Sequence, residues 1–181
     1  MSLFEVGNVA VTLLILRATQ LLHHGDRSLT AATSLAIVLY AAHNAAATIA
    51  SAAGGHWIDR AGPRVVFAAA AALYVGAYGM FAVSWHTWAP LLVAFALAGA
   101  GIGLAETAES TLVARRLPDH LRGSGFGLLG AVQSAGDLAA SAVVGLVWTL
   151  VTPTVAFGYA AAWMIAAFTV GWKSRGDDVL H

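Results

Sequence analysis

Gly55-His56-Trp57-Ile58-Asp59-Arg60-Ala61-Gly62-Pro63-Arg64 is a short charged stretch between two long apolar runs, residues 29–53 and 65–84. Charge is scarce elsewhere: 10% of the 181 residues are charged and 59% are hydrophobic. A soluble domain carries charge at roughly 25% of its positions. A soluble fold of this size could not hide so much apolar surface, because much of its surface must meet water. Lipid removes that constraint, so the stretch reads as a loop joining two membrane spans.

The pattern extends in both directions. A helix needs about 20 apolar residues to cross a hydrocarbon core of about 30 Å. Six stretches qualify: residues 3–22, 29–53, 65–84, 88–113, 124–150 and 154–172. Between them lie short polar breaks at 23–28, 54–64, 85–87, 114–123 and 151–153. Gly25, Gly62, Pro63, Pro90, Pro118, Gly123 and Pro153 punctuate helix ends. Loops this short force consecutive spans to be antiparallel neighbours. The expected fold is all-α, one six-helix transmembrane domain over residues 1–181. The first stretch lacks the basic start and small-residue cleavage site of a signal peptide, and it is read as a retained helix. Net charge is zero, which gives no sign of a nucleic-acid partner. Cysteine is absent, which excludes disulfides, thiolate catalysis and Cys-bound metal.

Lys and Arg set the orientation. Arg60 and Arg64 lie in the second loop, Arg115, Arg116 and Arg122 in the fourth, and Lys173 and Arg175 in the tail. All three segments share one side of a six-span chain, and the opposite loops hold only Arg27; Arg17 lies inside the first span. This bias places both termini and the even-numbered loops in the cytoplasm. Trp85, Trp88 and Trp172 are placed as interfacial anchors, or equally as ordinary buried or lipid-facing aromatics.

The 55–64 stretch resembles the signature of the major facilitator superfamily, G-x-x-x-D-R-x-G-R-[RK], with Pro63 in place of one basic residue. The matching positions are Gly55, Asp59, Arg60, Gly62 and Arg64. Each type has a physical use there. Gly62 permits a positive φ in a tight turn. Pro63 fits the first turn of the next helix. Asp59 can face a helix N-terminus. Arg60 and Arg64 hold the loop in the cytoplasm and can pair with acids. Phe4 to Ala18, with Gly7-Asn8 and Leu16-Arg17-Ala18, resembles the seventh helix of one bacterial branch of the superfamily. Gly103-Leu104-Ala105-Glu106-Thr107-Ala108-Glu109-Ser110, then Leu117-Pro118 and Leu121-Arg122-Gly123-Ser124-Gly125-Phe126-Gly127, resemble its tenth helix, the following loop and the start of its eleventh. The resemblance implies the C-terminal half of a transporter. A complete one has twelve helices where this chain has six. It further implies that the first and fourth spans line a central cavity, with the second and fifth beside them and the third and sixth as supports. Asp59 is then expected to sit against the fifth-helix N-terminus of another half. In a homodimer that place falls to Gly123-Ser124 of a second copy.

Ionisable groups inside spans are costly and face a bundle interior or a water-filled cavity. Glu5, Asn8 and Thr12 fall at helical spacing on one face of the first span, with Arg17 and Gln20 on another. His43 and Asn44 lie near the middle of the second span, and Glu106 and Glu109 share a face of the fourth. Gln133, Asp137 and Ser141 form a stripe on the fifth. The third and sixth spans carry no charge. Candidate substrate or proton residues are therefore Asp137, Gln133, Glu106, Glu109, Asn8, Arg17, His43 and Asn44. Each has a plainer use: Glu106 and Glu109 as partners of Arg115, Arg116 or the signature arginines Arg60 and Arg64, Asp137 in an interhelical hydrogen bond, His43 in a structural one. His23-His24-Gly25-Asp26 reads as a solvated outer loop, not a metal site. Gly99/Gly103 and Gly123/Gly127 fit small-xxx-small helix packing.

The expected function is secondary transport of a small solute, uptake or efflux, by half of a major facilitator transporter in a bacterial cytoplasmic membrane. The partners expected are the lipid bilayer, a small-molecule substrate and a second six-helix half, either another copy or a separate chain. The alternative is a split or truncated half, a structural membrane partner without transport of its own. No cofactor or metal is implied. An enzyme is disfavoured: His-Glu-x-x-His and cysteine are absent, and no Ser-His-Asp arrangement is evident.

Overall fold

The computed structural model describes residues 2–173, with side chains over 4–170. Trp172, Lys173 and Arg175, read above as an anchor and as tail cations, lie outside the described side chains. The helices are α1 (Ser2–Gly7), α2 (Val11–Leu22), α3 (Leu29–Ala61), α4 (Pro63–Ala82), α5 (Trp88–Arg116), α6 (Arg122–Leu150) and α7 (Pro153–Lys173). A single 3-10 turn, Asp119–Leu121, precedes α6. Six spans are long and apolar enough to cross a membrane, with α1 and α2 together making the first.

That first span is not the continuous helix expected. It breaks at Asn8-Val9-Ala10. Inside a bilayer, freed backbone groups must find partners within the protein. They do: Asn8 N–H reaches back to the Glu5 carbonyl at 3.2 Å, tightening the last turn of α1. Val9 N–H donates to the Tyr78 hydroxyl at 2.9 Å, and Ala10 N–H donates to Ser141 Oγ at 2.9 Å. The break corrects the shared face proposed for Glu5, Asn8 and Thr12. Glu5 and Asn8 are buried and Thr12 is exposed, because the helical phase restarts at Val11.

The second loop is also shorter than the sequence suggests. α3 runs to Ala61 instead of stopping at residue 53, and α4 starts at Pro63. The joint is Gly62 alone, at φ 82°, a conformation that costs a Cβ-bearing residue dearly. Gly54 and Ile58 are buried while His56, Trp57, Asp59 and Arg60 are exposed, so the charged stretch is one face of a helix. A helix of 33 residues is about 50 Å long and overshoots the hydrocarbon core. Its last turns can therefore carry charge without breaking. α5 and α6 are extended for the same reason, ending at Arg116 and starting at Arg122.

α3 and α5 run parallel along an in-register seam. A Cβ on Gly99 would collide with the His43 carbonyl, and one on Gly103 with the Ala47 carbonyl. One turn further, Ser51 Oγ meets Thr107 Oγ1 at 2.7 Å and donates to the Gly103 carbonyl at 3.2 Å. Asp59 and Arg115 extend the same 56-residue offset to the exposed ends of both helices, 3.7 Å apart. Close backbone approach of this kind is how helices associate in lipid, where the hydrophobic effect does not drive them together. The second expected pair behaves differently: among the described residues, a Cβ on Gly123 or Gly127 would meet nothing within 4 Å. α4 packs on α5 and α7 through aromatics, with Phe81 stacked on Phe157 and edge-on to Phe95.

These two glycine pairs predict substitutions of opposite sign. Gly103→Ala should destabilise the purified bundle by about 1–3 kcal/mol, the usual cost of overpacking. Gly127→Ala should stabilise it by up to about 1 kcal/mol through helix propensity. Denaturant unfolding in mixed micelles checks this; equal effects at both positions would contradict the seam.

Candidate functional site

The break in the first span sets the site. It turns Asn8 toward α6, where Asn8 Nδ2 donates to Asp137 Oδ1 at 2.7 Å. The 133/137/141 stripe of α6 is used at every step. Gln133 Nε2 donates to Glu109 Oε2 at 2.7 Å, Asp137 holds Asn8, and Ser141 takes the Ala10 N–H. Gly136 lies where a Cβ would strike Glu5, so α1 and α6 touch backbone to side chain. The carboxyls of Glu5 and Glu109 are within hydrogen-bonding reach of each other.

These groups enclose a cavity of about 250 Å³. Its polar lining is Glu5, Asn8, Glu106, Glu109, Gln133, Ser134 and Asp137; Phe4, Ile102, Ala105 and Gly130 complete it. Residues from α4 and α7 do not appear in that lining, although Tyr78 of α4 holds the break from behind. Asp137 sits midway along α6, about 20 Å from either end, and Glu106 about 15 Å from the Arg116 end of α5. Glu109 and Glu5 are 1% and 4% exposed. Glu106, by contrast, is exposed, and it also lines a second, more open groove of about 500 Å³ with Ser51, Thr107, Ser110 and Thr111. The two spaces meet at Glu106 and lead toward the Arg115 end of the bundle.

Five of the candidate residues are thus brought together: Asn8, Glu106, Glu109, Gln133 and Asp137. The plainer pairing of Glu109 with Arg115 or Arg116 does not occur, since Gln133 and Glu5 lie against that carboxyl and Arg115 faces Asp59. The other three lie elsewhere. Arg17 is buried and its Nε donates to the Phe81 carbonyl at 3.1 Å, at the C-terminal end of α4 where a cation is favoured. His43 packs between the Tyr40 and Phe95 rings on the α3–α5 seam. Asn44 is exposed and donates to the Tyr40 carbonyl one turn earlier. Of the signature residues, Gly62 forms the joint and Gly55 faces open space on α3. Arg60 is exposed in the last turn of α3, and Arg64 is half-buried in the first turn of α4. Asp59 has Arg115 of its own chain as neighbour, at 3.7 Å. That pair is open to solvent and adds little stability.

Glu5, Ser134 and Tyr78 belong to the site without being among the candidates. Glu5 carries a visible signal, a carboxyl in a span. Tyr78 carries none, because its role depends on a break that no Pro announces. Tyr78→Phe therefore tests the arrangement. It should leave Val9 N–H without a partner, cost about 1–3 kcal/mol, and speed amide exchange at Val9 while leaving α5 amides protected. Unchanged exchange at Val9 would show that the hydroxyl does not hold the break.

No curated protein matches the chain. The family model described as Major Facilitator Superfamily matches residues 2–179, nearly the whole length. Its members are membrane transporters of small molecules. With six membrane-length helices, a polar cavity at mid-depth and this match, the chain belongs to the Major Facilitator Superfamily.

Proposed function

We propose that the chain is one six-helix half of a secondary transporter that moves a small solute across a bacterial cytoplasmic membrane. The observation that carries this reading is Glu106: a carboxyl about 15 Å inside a span, exposed on the surface of its own bundle. Lipid does not tolerate that group, so the face it occupies belongs against water or protein. The same face holds the cavity and the broken span. Substrate sites of secondary transporters lie near the midplane, at the interface of two repeats, and are formed by discontinuous helices. The first-span break at Asn8–Ala10 fits that pattern.

A second half in the same membrane covers this face. In major facilitator proteins the two halves are parallel repeats about an axis along the membrane normal. α3 and α6 are the least covered spans here, 17% and 11% buried, and suit that contact. Gly55 on α3 and Gly123 and Gly127 on α6, where a Cβ would meet none of the described residues within 4 Å, would let a partner's backbone come close. That half is a second copy or a separate chain of the same family. Both termini lie in the cytoplasm, from the bias of Arg60, Arg64, Arg115, Arg116 and Arg122. The solute enters the gap between the halves, exchanges its hydration for the side chains around Asp137, and leaves when the halves rock.

Two measurements test the reading. Reporter fusions after Arg64 and Arg122 should report cytoplasm, and fusions near Arg27 and His86 the outside; the reverse result overturns the orientation. Paired cysteines at positions 59 and 124, in a chain that has none of its own, should crosslink between two halves in the membrane. A crosslink confined to single chains, with no dimer or partner captured, overturns the two-half assembly and favours an isolated half.

A further inference from the structure

We infer that the solute accepted by this cavity is a small organic cation, an inference that rests on the transport reading above. Four carboxyls border the space, Glu5, Glu106, Glu109 and Asp137, and among the described residues no Lys, Arg or His lines it with them. Such a set is unbalanced where water is scarce, and whatever fills the space must offset it. Glu109 makes the demand specific. It is 1% exposed, Oε2 accepts from Gln133, and Oε1 has no hydrogen-bond partner among the described residues. A buried oxygen of this kind calls for a donor. The Glu5 carboxyl beside it is an acceptor unless it holds a proton.

An N–H donor with positive charge answers both needs. A bare metal ion does not, because no three of these carboxyls converge to hold one among the described residues. An anion would meet the carboxyl field head-on. The remaining walls, Phe4 and Ile102, are apolar and suit a carbon skeleton. At about 30 Å³ for each water-sized group, 250 Å³ accepts a molecule of the size of benzylamine. The groove that begins at Glu106 offers its approach. It is floored by the Ser51, Thr107 and Thr111 hydroxyls, which can accept from an ammonium in transit.

The test reads the field at the cavity wall. Ser134→Cys, in the otherwise cysteine-free chain in lipid nanodiscs, is labelled with two methanethiosulfonates, one bearing trimethylammonium and one bearing sulfonate. Thr87→Cys, in an exposed neutral turn, gives the reference ratio of rates. The cationic-to-anionic ratio at position 134 should exceed the reference about 10-fold or more at pH 7, the range by which one-sign clefts concentrate counter-ions. Glu109→Gln and Glu106→Gln should each lower it. Glu106 is exposed, so its variant reports even where Glu109→Gln fails to fold. Benzylamine should slow labelling and benzyl alcohol should not. A ratio equal to the reference, or equal protection by the alcohol, overturns the cation assignment alone and includes the case in which the cavity takes up protons only. A thiol at position 134 that is inert to both reagents overturns the aqueous path itself, and the transport reading with it.

Discussion

The structure depends on how three backbone residues are satisfied in the middle of a membrane. Asn8, Val9 and Ala10 leave the helix, and their N–H groups find the Glu5 carbonyl, the Tyr78 hydroxyl and Ser141 Oγ. Without those partners a break at this depth would cost several kcal/mol for each lost bond. With them, the first span is pinned at once to α4 and to α6. The side chains on either side of the break then have fixed directions, Glu5 toward Glu109 and Asn8 toward Asp137. The cavity is the space left between these bonds.

A second constraint fixes the frame behind it. The α3–α5 seam is built from carbonyls meeting glycines, with one hydroxyl pair and one surface ion pair continuing its register. It holds α5 rigidly, so Glu106 and Glu109 are presented from a helix that cannot rotate without breaking backbone contacts. α6 is held differently. Its anchors are the polar bonds of Gln133, Asp137 and Ser141, and much of its remaining surface is uncovered. Helices joined mainly by a few polar bonds can shift by exchanging partners, whereas close-packed backbones cannot.

Much of this is legible in the sequence, for reasons that differ by residue. The spans show through apolar length, and Gly62-Pro63 marks its turn because each residue allows a conformation that others resist. The 133/137/141 stripe shows through helical spacing, and the structure uses all three positions. Gly99 and Gly103 are readable as a contact, but not which helix they meet. The break at Asn8–Ala10 is not readable: no Pro lies there, and its stabilising partners are 69 and 131 residues away. Helical spacing therefore groups Thr12 with Glu5 and Asn8 wrongly. Arg17 looks like a cavity cation because burial of a charge suggests function. It instead caps the carbonyl of Phe81, a tertiary contact that periodicity cannot reveal. Gly123 and Gly127 match a packing pattern for which the described residues supply no partner.

On this account the face of α6 bearing Asp137 meets water or a partner's polar wall, and the opposite face meets lipid. Gly130 and Leu128 separate the two cleanly. They lie about 3 Å apart in depth and on opposite sides of one helix. Nitroxide labels at these positions in a lipid bilayer can be compared by their relaxation with dissolved oxygen, which concentrates in lipid, and with a water-soluble nickel chelate. At Gly130 the chelate should dominate, and at Leu128 oxygen should. Oxygen dominating at both positions would contradict the account, because a carboxyl-lined cavity cannot face hydrocarbon.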